Sequence, residues 1–198
     1  MPSKREQLRA KNQRGKRMTT LAAIAGGLIV VGIIGYLVWK NNQPAPATTA
    51  SDVGETEVIM VDTGHVEDGT DPGPYNSDPP TSGRHYAEPA EAGFYDSDPF
   101  ASHPEGYLVH SQEHGYVIFW YNCDLLSGPQ CDDLKAQIKD VMQGEANFKV
   151  IAFPWPSIDA PVVITSWGKL LKMETFDPRQ AVAFVQANRN HAPEPDAP

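Results

Sequence analysis

The chain has 198 residues, enough for one domain of ordinary size plus tails, and a net charge of -9. That charge is split: the first 40 residues carry eight Lys or Arg against one Glu, about +7, so about -16 falls on the remainder. The acidic part has too few cations to neutralise a run of phosphates, which excludes nucleic acid as its partner, and the opposite signs point to two compartments.

Residues 1–20 read as a basic cytoplasmic tail. Leu21 to Trp39 is then a stretch of 19 residues without a charge. As a helix rising about 1.5 Å per residue it spans roughly 30 Å, the thickness of a bilayer core. Tyr36 and Trp39 near its far end suit a membrane interface. Lys4, Arg5, Arg9, Lys11, Arg14, Lys16 and Arg17 precede it. Positive charge stays inside, so the expectation is a single-pass plasma-membrane anchor with its N-terminus cytoplasmic and the later domain outside. A cleaved signal peptide, cut after Ala47 or Ala50, and a buried core helix are the alternatives, although a signal h-region is shorter, roughly 7–15 residues.

Residues 40–55, rich in Pro, Ala, Thr and Asn, cannot bury a core and read as a flexible linker. An outer domain is expected over 56–191. The β-branched run 56–61 suggests its first strand. Residues 62–102 hold many Pro, Gly, Asp and Ser residues, which forbid long regular elements. Their Tyr75, His85, Tyr86, Phe94, Tyr95 and Phe100 argue that this stretch is an ordered, irregular coat over a sheet. Residues 116–121 read as a central strand. Leu134, Ile138, Val141 and Met142 have helical spacing, with Gly144 as the stop. Strands are expected at 148–153, 162–166 and 170–175. Asp177 and Pro178 have the types that cap and open a second helix, continued by Ala181, Phe184, Val185 and Asn188. The class is α+β, with a mixed sheet and two helices. Residues 192–198, Pro-rich and acidic, read as a disordered tail.

Cys123 and Cys131 are the two cysteines. Outside a membrane they suit a structural disulfide closing a small loop. A soft-metal pair and two free thiols are the alternatives. The CxxC redox spacing is absent.

The chemistry concentrates in His110-Ser111-Gln112-Glu113-His114-Gly115. On a strand, His110 and His114 would lie about 13 Å apart, too far for one ion. On a helical turn they lie about 6 Å apart, which suits a metal. A metal site therefore requires a turn or short helix here, with Gly115 as its exit. His85 offers a third imidazole. Glu113 is a ligand, an orienting partner or a general base. The spacing also matches the reversed zinc-peptidase pattern, which sits in a long helix, whereas here a strand follows at once. The plain structural alternative is that His110 and His114 bond loop backbone beneath the coat. His103 is expected to be exposed, and His65 is ambiguous. Met60 and Met173 offer thioethers to copper or simply fill the core.

Tyr75 to Tyr86, His110 to Gly115, Ser166-Trp167-Gly168 and Phe176-Asp177 together resemble the bacterial DUF3105 family, whose members have no established activity. Asp78, Arg84, Gln112 and Ser166 depart from its pattern without removing a donor. The resemblance implies the same outer domain behind one N-terminal transmembrane helix. The leading expectation is an anchored extracytoplasmic protein that binds a transition metal, copper or zinc, through His85, His110, His114 and Glu113. The alternatives are a non-metal module that presents Tyr75, Tyr86, Phe94, Tyr95 and Arg84 to a protein or envelope glycan, and a metal-dependent enzyme.

Overall fold

A computed structural model describes residues 53–197. The expected anchor at residues 21–39, the basic tail and most of the linker lie outside them. Among the described residues no helix is long and apolar enough to cross a membrane.

The domain is α+β with a mixed sheet, as its composition implies. In chain order its elements are β1 (Glu55–Thr56), β2 (His65–Val66), β3 (His85–Tyr86), β4 (Gly93–Phe94), α1 (Pro104–Glu113), β5 (Val117–Tyr121), a 3-10 turn (Cys123–Leu125), α2 (Gly128–Gly144), β6 (Val150–Pro154), β7 (Val162–Ser166), β8 (Lys169–Met173) and α3 (Pro178–Asn188). Six strands form one sheet in the order β1-β8-β7-β5-β6-β4. β5 runs parallel to β6 and antiparallel to β7, so the aromatic run from Val117 sits at the centre, as its composition predicts.

Side chains alternate across β5 and so divide the core in two. Val117, Phe119 and Tyr121 join Leu134, Ile138 and Met142 of α2 and Phe184 and Val185 of α3 on one face. Ile118 and Trp120 meet Leu108 of α1 together with Phe153 on the other. The site-bearing helix therefore has one face of the sheet to itself.

Three helices are described, where apolar spacing shows two. Only α1 escapes that spacing as a full helix. From Leu108 to Glu113 it is buried all round, and four of those residues are polar. A helix buried on every side has no apolar stripe for periodicity to reveal. It is instead legible as the turn that a His110–His114 pairing demands. α2 begins earlier than its apolar spacing suggests, at a capping box between Ser127 and Gln130 with Pro129 in its first turn. Asp177 caps α3 by accepting the Arg179 N–H at 2.9 Å. The strand expected over 56–61 stops after Thr56. The chain then leaves the sheet, its Met60 N–H donating to Ser82 Oγ at 3.0 Å.

Residues 62–102 are an ordered coat with little regular structure. β2 and β3 pair parallel within it, setting His65 opposite His85. Tyr86 is fully buried. Its ring fits against Gly106, where any Cβ would lie 2.5 Å from the Tyr86 ring. Of the rings expected to face a partner, Tyr86 is buried, and Tyr75, Phe94 and Tyr95 are half-buried. Tyr95 packs on Phe153, and Phe94 stacks on Tyr121.

Cys123 and Cys131 are joined as a disulfide, with their Cα atoms 5.3 Å apart, which sets aside the metal-pair and free-thiol alternatives. It ties the 3-10 turn to the first turn of α2. Reduction is expected to cost about 2–3 kcal/mol, the loop-closure entropy for so short a loop. Urea midpoints with and without a reductant measure it, and an unchanged midpoint would refute it.

Residues 192–197, read as a disordered tail, lie against the domain. The Glu194 N–H donates to Glu113 O at 3.0 Å. The Lys149 ammonium donates to Pro195 O and Ala197 O, each at 2.8 Å. Acidic, Pro-rich composition cannot reveal backbone carbonyls gathered by one buried lysine.

Candidate metal centre

The last turn of α1 is polar because the coat needs partners. Coat backbone carbonyls without a strand ladder must find donors elsewhere. His110 Nδ1 donates to Tyr86 O at 2.7 Å, Ser111 Oγ to Ala90 O at 2.9 Å, and Gln112 Nε2 to Pro80 O at 3.0 Å. Gln112 Nε2 also lies 3.1 Å from Thr165 Oγ1 on β7. The structural alternative for His110 is thus correct for one of its nitrogens. The other, Nε2, faces the neighbouring imidazoles and lies 2.8 Å from His114 Nε2.

Three rings converge there. His65, His85 and His110 have centroids 4.9–5.0 Å apart in every pairing. With Glu113 they form a group whose donor atoms all lie within 4.8 Å of one another. β2 and β3 deliver His65 and His85 side by side, and one turn of α1 delivers His110 and Glu113. His85, His110 and Glu113 are buried and His65 is exposed, so the group opens to solvent on the His65 side. This group of three imidazoles and one carboxylate is placed to bind a metal ion.

The protonation pattern fits that use. His85 Nδ1 lies 2.9 Å from Gly83 O, and a carbonyl can only accept, so Nδ1 carries the hydrogen. In the neutral ring, Nε2 then offers a lone pair. That atom is fully buried, has no hydrogen-bond partner, and lies 2.9 Å from Glu113 Oε2. Two acceptors in contact are repulsive unless a proton or a cation lies between them. Backbone carbonyls orient both His85 and His110 through Nδ1, the arrangement that fixes a metal-binding imidazole with its Nε2 inward.

Where the sequence pointed to His114, the geometry brings in His65. His114 lies outside the four-donor group, although its Nε2 is 2.8 Å from His110 Nε2. It marks the helix exit, ahead of Gly115 at φ +86°, where a Cβ would fall 2.7 Å from Asn190 Cα. No spacing rule links His65 to His85 across the coat, and only the parallel pairing of β2 and β3 does so. His103, expected to be exposed, is half-buried ahead of α1, with Nδ1 3.2 Å from Glu105 Oε1. Met173 belongs to the core on the opposite face of the sheet. Met60 lies beside Gly83, outside the donor group.

The family model described as "Protein of unknown function (DUF3105)" matches residues 65–198, more than half of the chain. The chain belongs to the DUF3105 family. Every donor of the site falls inside that match. No curated protein and no solved structure matches the chain.

Burial lowers the His110 pKa from 6.5 to about 4, because the imidazolium loses its water. The Tyr86 carbonyl opposes the shift, and His114, His85 and His65 add to it. Between those two values the unfolded, metal-free chain binds a proton that the folded chain does not. Stability must then rise with pH across that window and be lost as pH falls through it. The shift corresponds to on the order of 3 kcal/mol between pH 7 and pH 4. Urea midpoints of chelator-treated protein across this range, compared with His110→Gln, provide the check. Equal slopes in the two proteins would refute the assignment.

Proposed function

We propose that this DUF3105 protein is a membrane-anchored, extracytoplasmic domain that binds one transition-metal ion through His65, His85, His110 and Glu113. The observation that carries the reading is the buried contact of His85 Nε2 with Glu113 Oε2 at 2.9 Å, a pair that needs a proton or a cation between its atoms, with the Nδ1 atoms of His85 and His110 already engaged by backbone carbonyls. A divalent cation fills that role and uses all four donors. Three imidazoles and a carboxylate suit Zn(II), Cu(II) or Fe(II), and the lack of a thioether in the group disfavours Cu(I). The Cys123–Cys131 disulfide supports an oxidising compartment, and the uncharged run from Leu21 to Trp39 behind seven cations supports an anchor with the domain outside. A role in storing, delivering or sensing the ion fits better than hydrolysis, because Glu113 faces a ligand imidazole rather than an empty reaction space.

The test is elemental analysis of the full-length chain, purified without a His tag, beside a His85→Ala variant. About one equivalent of a single transition metal, lost in the variant, is the expected result, and it names the element. Repeating the measurement after stripping with chelator and reloading with Zn(II) or Cu(II) covers loss during purification. A folded wild-type chain that takes up neither ion would overturn the proposal.

A further inference from the structure

The C-terminal segment 190–197 is fastened to the end of α1 that carries the donors. The Asn190 N–H donates to Gly115 O at 2.9 Å, and the Glu194 N–H donates to Glu113 O at 3.0 Å. Lys149, buried, donates to His114 O at 2.9 Å as well as to Pro195 O and Ala197 O. A cation on the last carbonyls of a helix is favourably placed, so one ammonium caps α1 and holds the strap. The Glu194 carboxylate reaches back over the same helix end, with Oε2 3.7 Å from His114 Nε2.

His110 has one lone pair to give. Its Nδ1 donates to the Tyr86 carbonyl, which leaves Nε2 of the neutral ring as an acceptor. That Nε2 is 2.8 Å from His114 Nε2, so His114 supplies the hydrogen between them. A cation in the four-donor group must use the same Nε2. One lone pair cannot both ligate a metal and accept a hydrogen bond.

We propose that occupancy of the metal site is relayed through His114 to the C-terminal strap. The relay rests on the metal reading above. When a cation takes the His110 lone pair, the His114 Nε2–H loses its acceptor and turns to the Glu194 carboxylate. No proton is gained or lost. The bond from His114 to His110 is exchanged for one from His114 to Glu194, and the strap, already held by Lys149, is held more tightly. The strap surface then differs between loaded and empty protein, which a partner or protease outside the membrane can read.

Zn(II) alone is the probe, on the full-length chain, with Glu194→Ala as the variant because that side chain is largely exposed and its loss spares the fold. Zinc is expected to slow backbone hydrogen exchange across 190–197 by about tenfold, the size of one hydrogen bond to a carboxylate. By reciprocity Glu194→Ala should bind zinc about tenfold more weakly at unchanged stoichiometry. Stoichiometric zinc in both proteins, with equal affinity and unchanged exchange in the strap, overturns the relay and leaves the metal site standing. Failure of the wild-type chain to bind zinc overturns both.

Discussion

Replacing His110 with Ala is expected to weaken zinc binding by about 100-fold or more, roughly one ligand's share of the free energy of a four-ligand site. His114→Ala should keep the metal and its stoichiometry. The two residues sit four apart at the end of one helix, and spacing alone ranks them equally. The geometry separates them, because His110 shares the donor group with His65, His85 and Glu113 while His114 stands outside it. Competition against a chromophoric chelator gives both affinities, and a thermal melt of each variant shows whether it is folded. His110→Ala also strips the Tyr86 carbonyl of its donor, so His65→Ala is the cleaner companion: His65 is exposed and its removal leaves the core intact. Metal retained at wild-type affinity in both His110→Ala and His65→Ala would place the ion elsewhere.

Trp120→Ala is expected to destabilise the domain by about 3–5 kcal/mol, the range for deleting a buried aromatic ring. Trp120 is fully buried on the central strand, edge-on to Trp155 at 5.1 Å and to Phe153 at 6.2 Å. Its Nε1 donates to Thr165 Oγ1 at 2.6 Å, and Gln112 of α1 reaches the same hydroxyl. Removing the indole therefore opens a cavity under α1 and releases one of the two donors that fix Thr165. Trp120→Phe fills most of that space without the N–H, and about 1–2 kcal/mol is expected for it. Urea denaturation measures both, with an unchanged dependence on denaturant showing that the folded and unfolded states are otherwise alike. Loss below about 1 kcal/mol for Trp120→Ala would mean that this face of the sheet tolerates repacking.

The elements that can be read from the chain are those with a strand-forming run, helical apolar spacing or cap chemistry at their ends. The central strand is visible in its aromatic and β-branched run, and α3 in its Asp-Pro start. α2 is visible in its apolar spacing, although its first turn depends on a Ser–Gln capping box that the spacing does not mark. α1 is visible only as the turn or short helix that a His110–His114 pairing demands, because four of its buried residues are polar and leave no apolar stripe. His110 and Glu113 can be found because they sit in one dense motif, and His85 because a second motif carries it. His65 cannot, since its place beside His85 depends on a two-residue parallel ladder, and such short pairings are set by tertiary context rather than by propensity. That His114 stands outside the four-donor group is hidden in the same way: sequence distance along a helix is only a proxy for direction at its end. The burial of Tyr86 and the packing of the half-buried Phe94 and Tyr95 on core rings are likewise beyond composition, which counts rings but not where they point.

The parallel pairing of His65 with His85 has a consequence for the lifetime of the protein. Two donors sit on the coat and two on α1, so an ion at this site is a cross-link between them. Without it, the coat is held to α1 by side-chain bonds to backbone carbonyls and by the Tyr86 and Phe100 rings on Tyr107, and a segment so attached opens at lower cost than the sheet beneath it. Opening exposes a long, Pro- and Asp-rich stretch to cleavage while the core stays folded. Limited proteolysis should then cut metal-free protein first within residues 65–85, with added zinc suppressing that cut and leaving other sites unchanged. Identical cleavage with and without zinc would show that the coat is closed by its own bonds. On the metal reading, molecules made in a cell short of the ion would be the first to be destroyed.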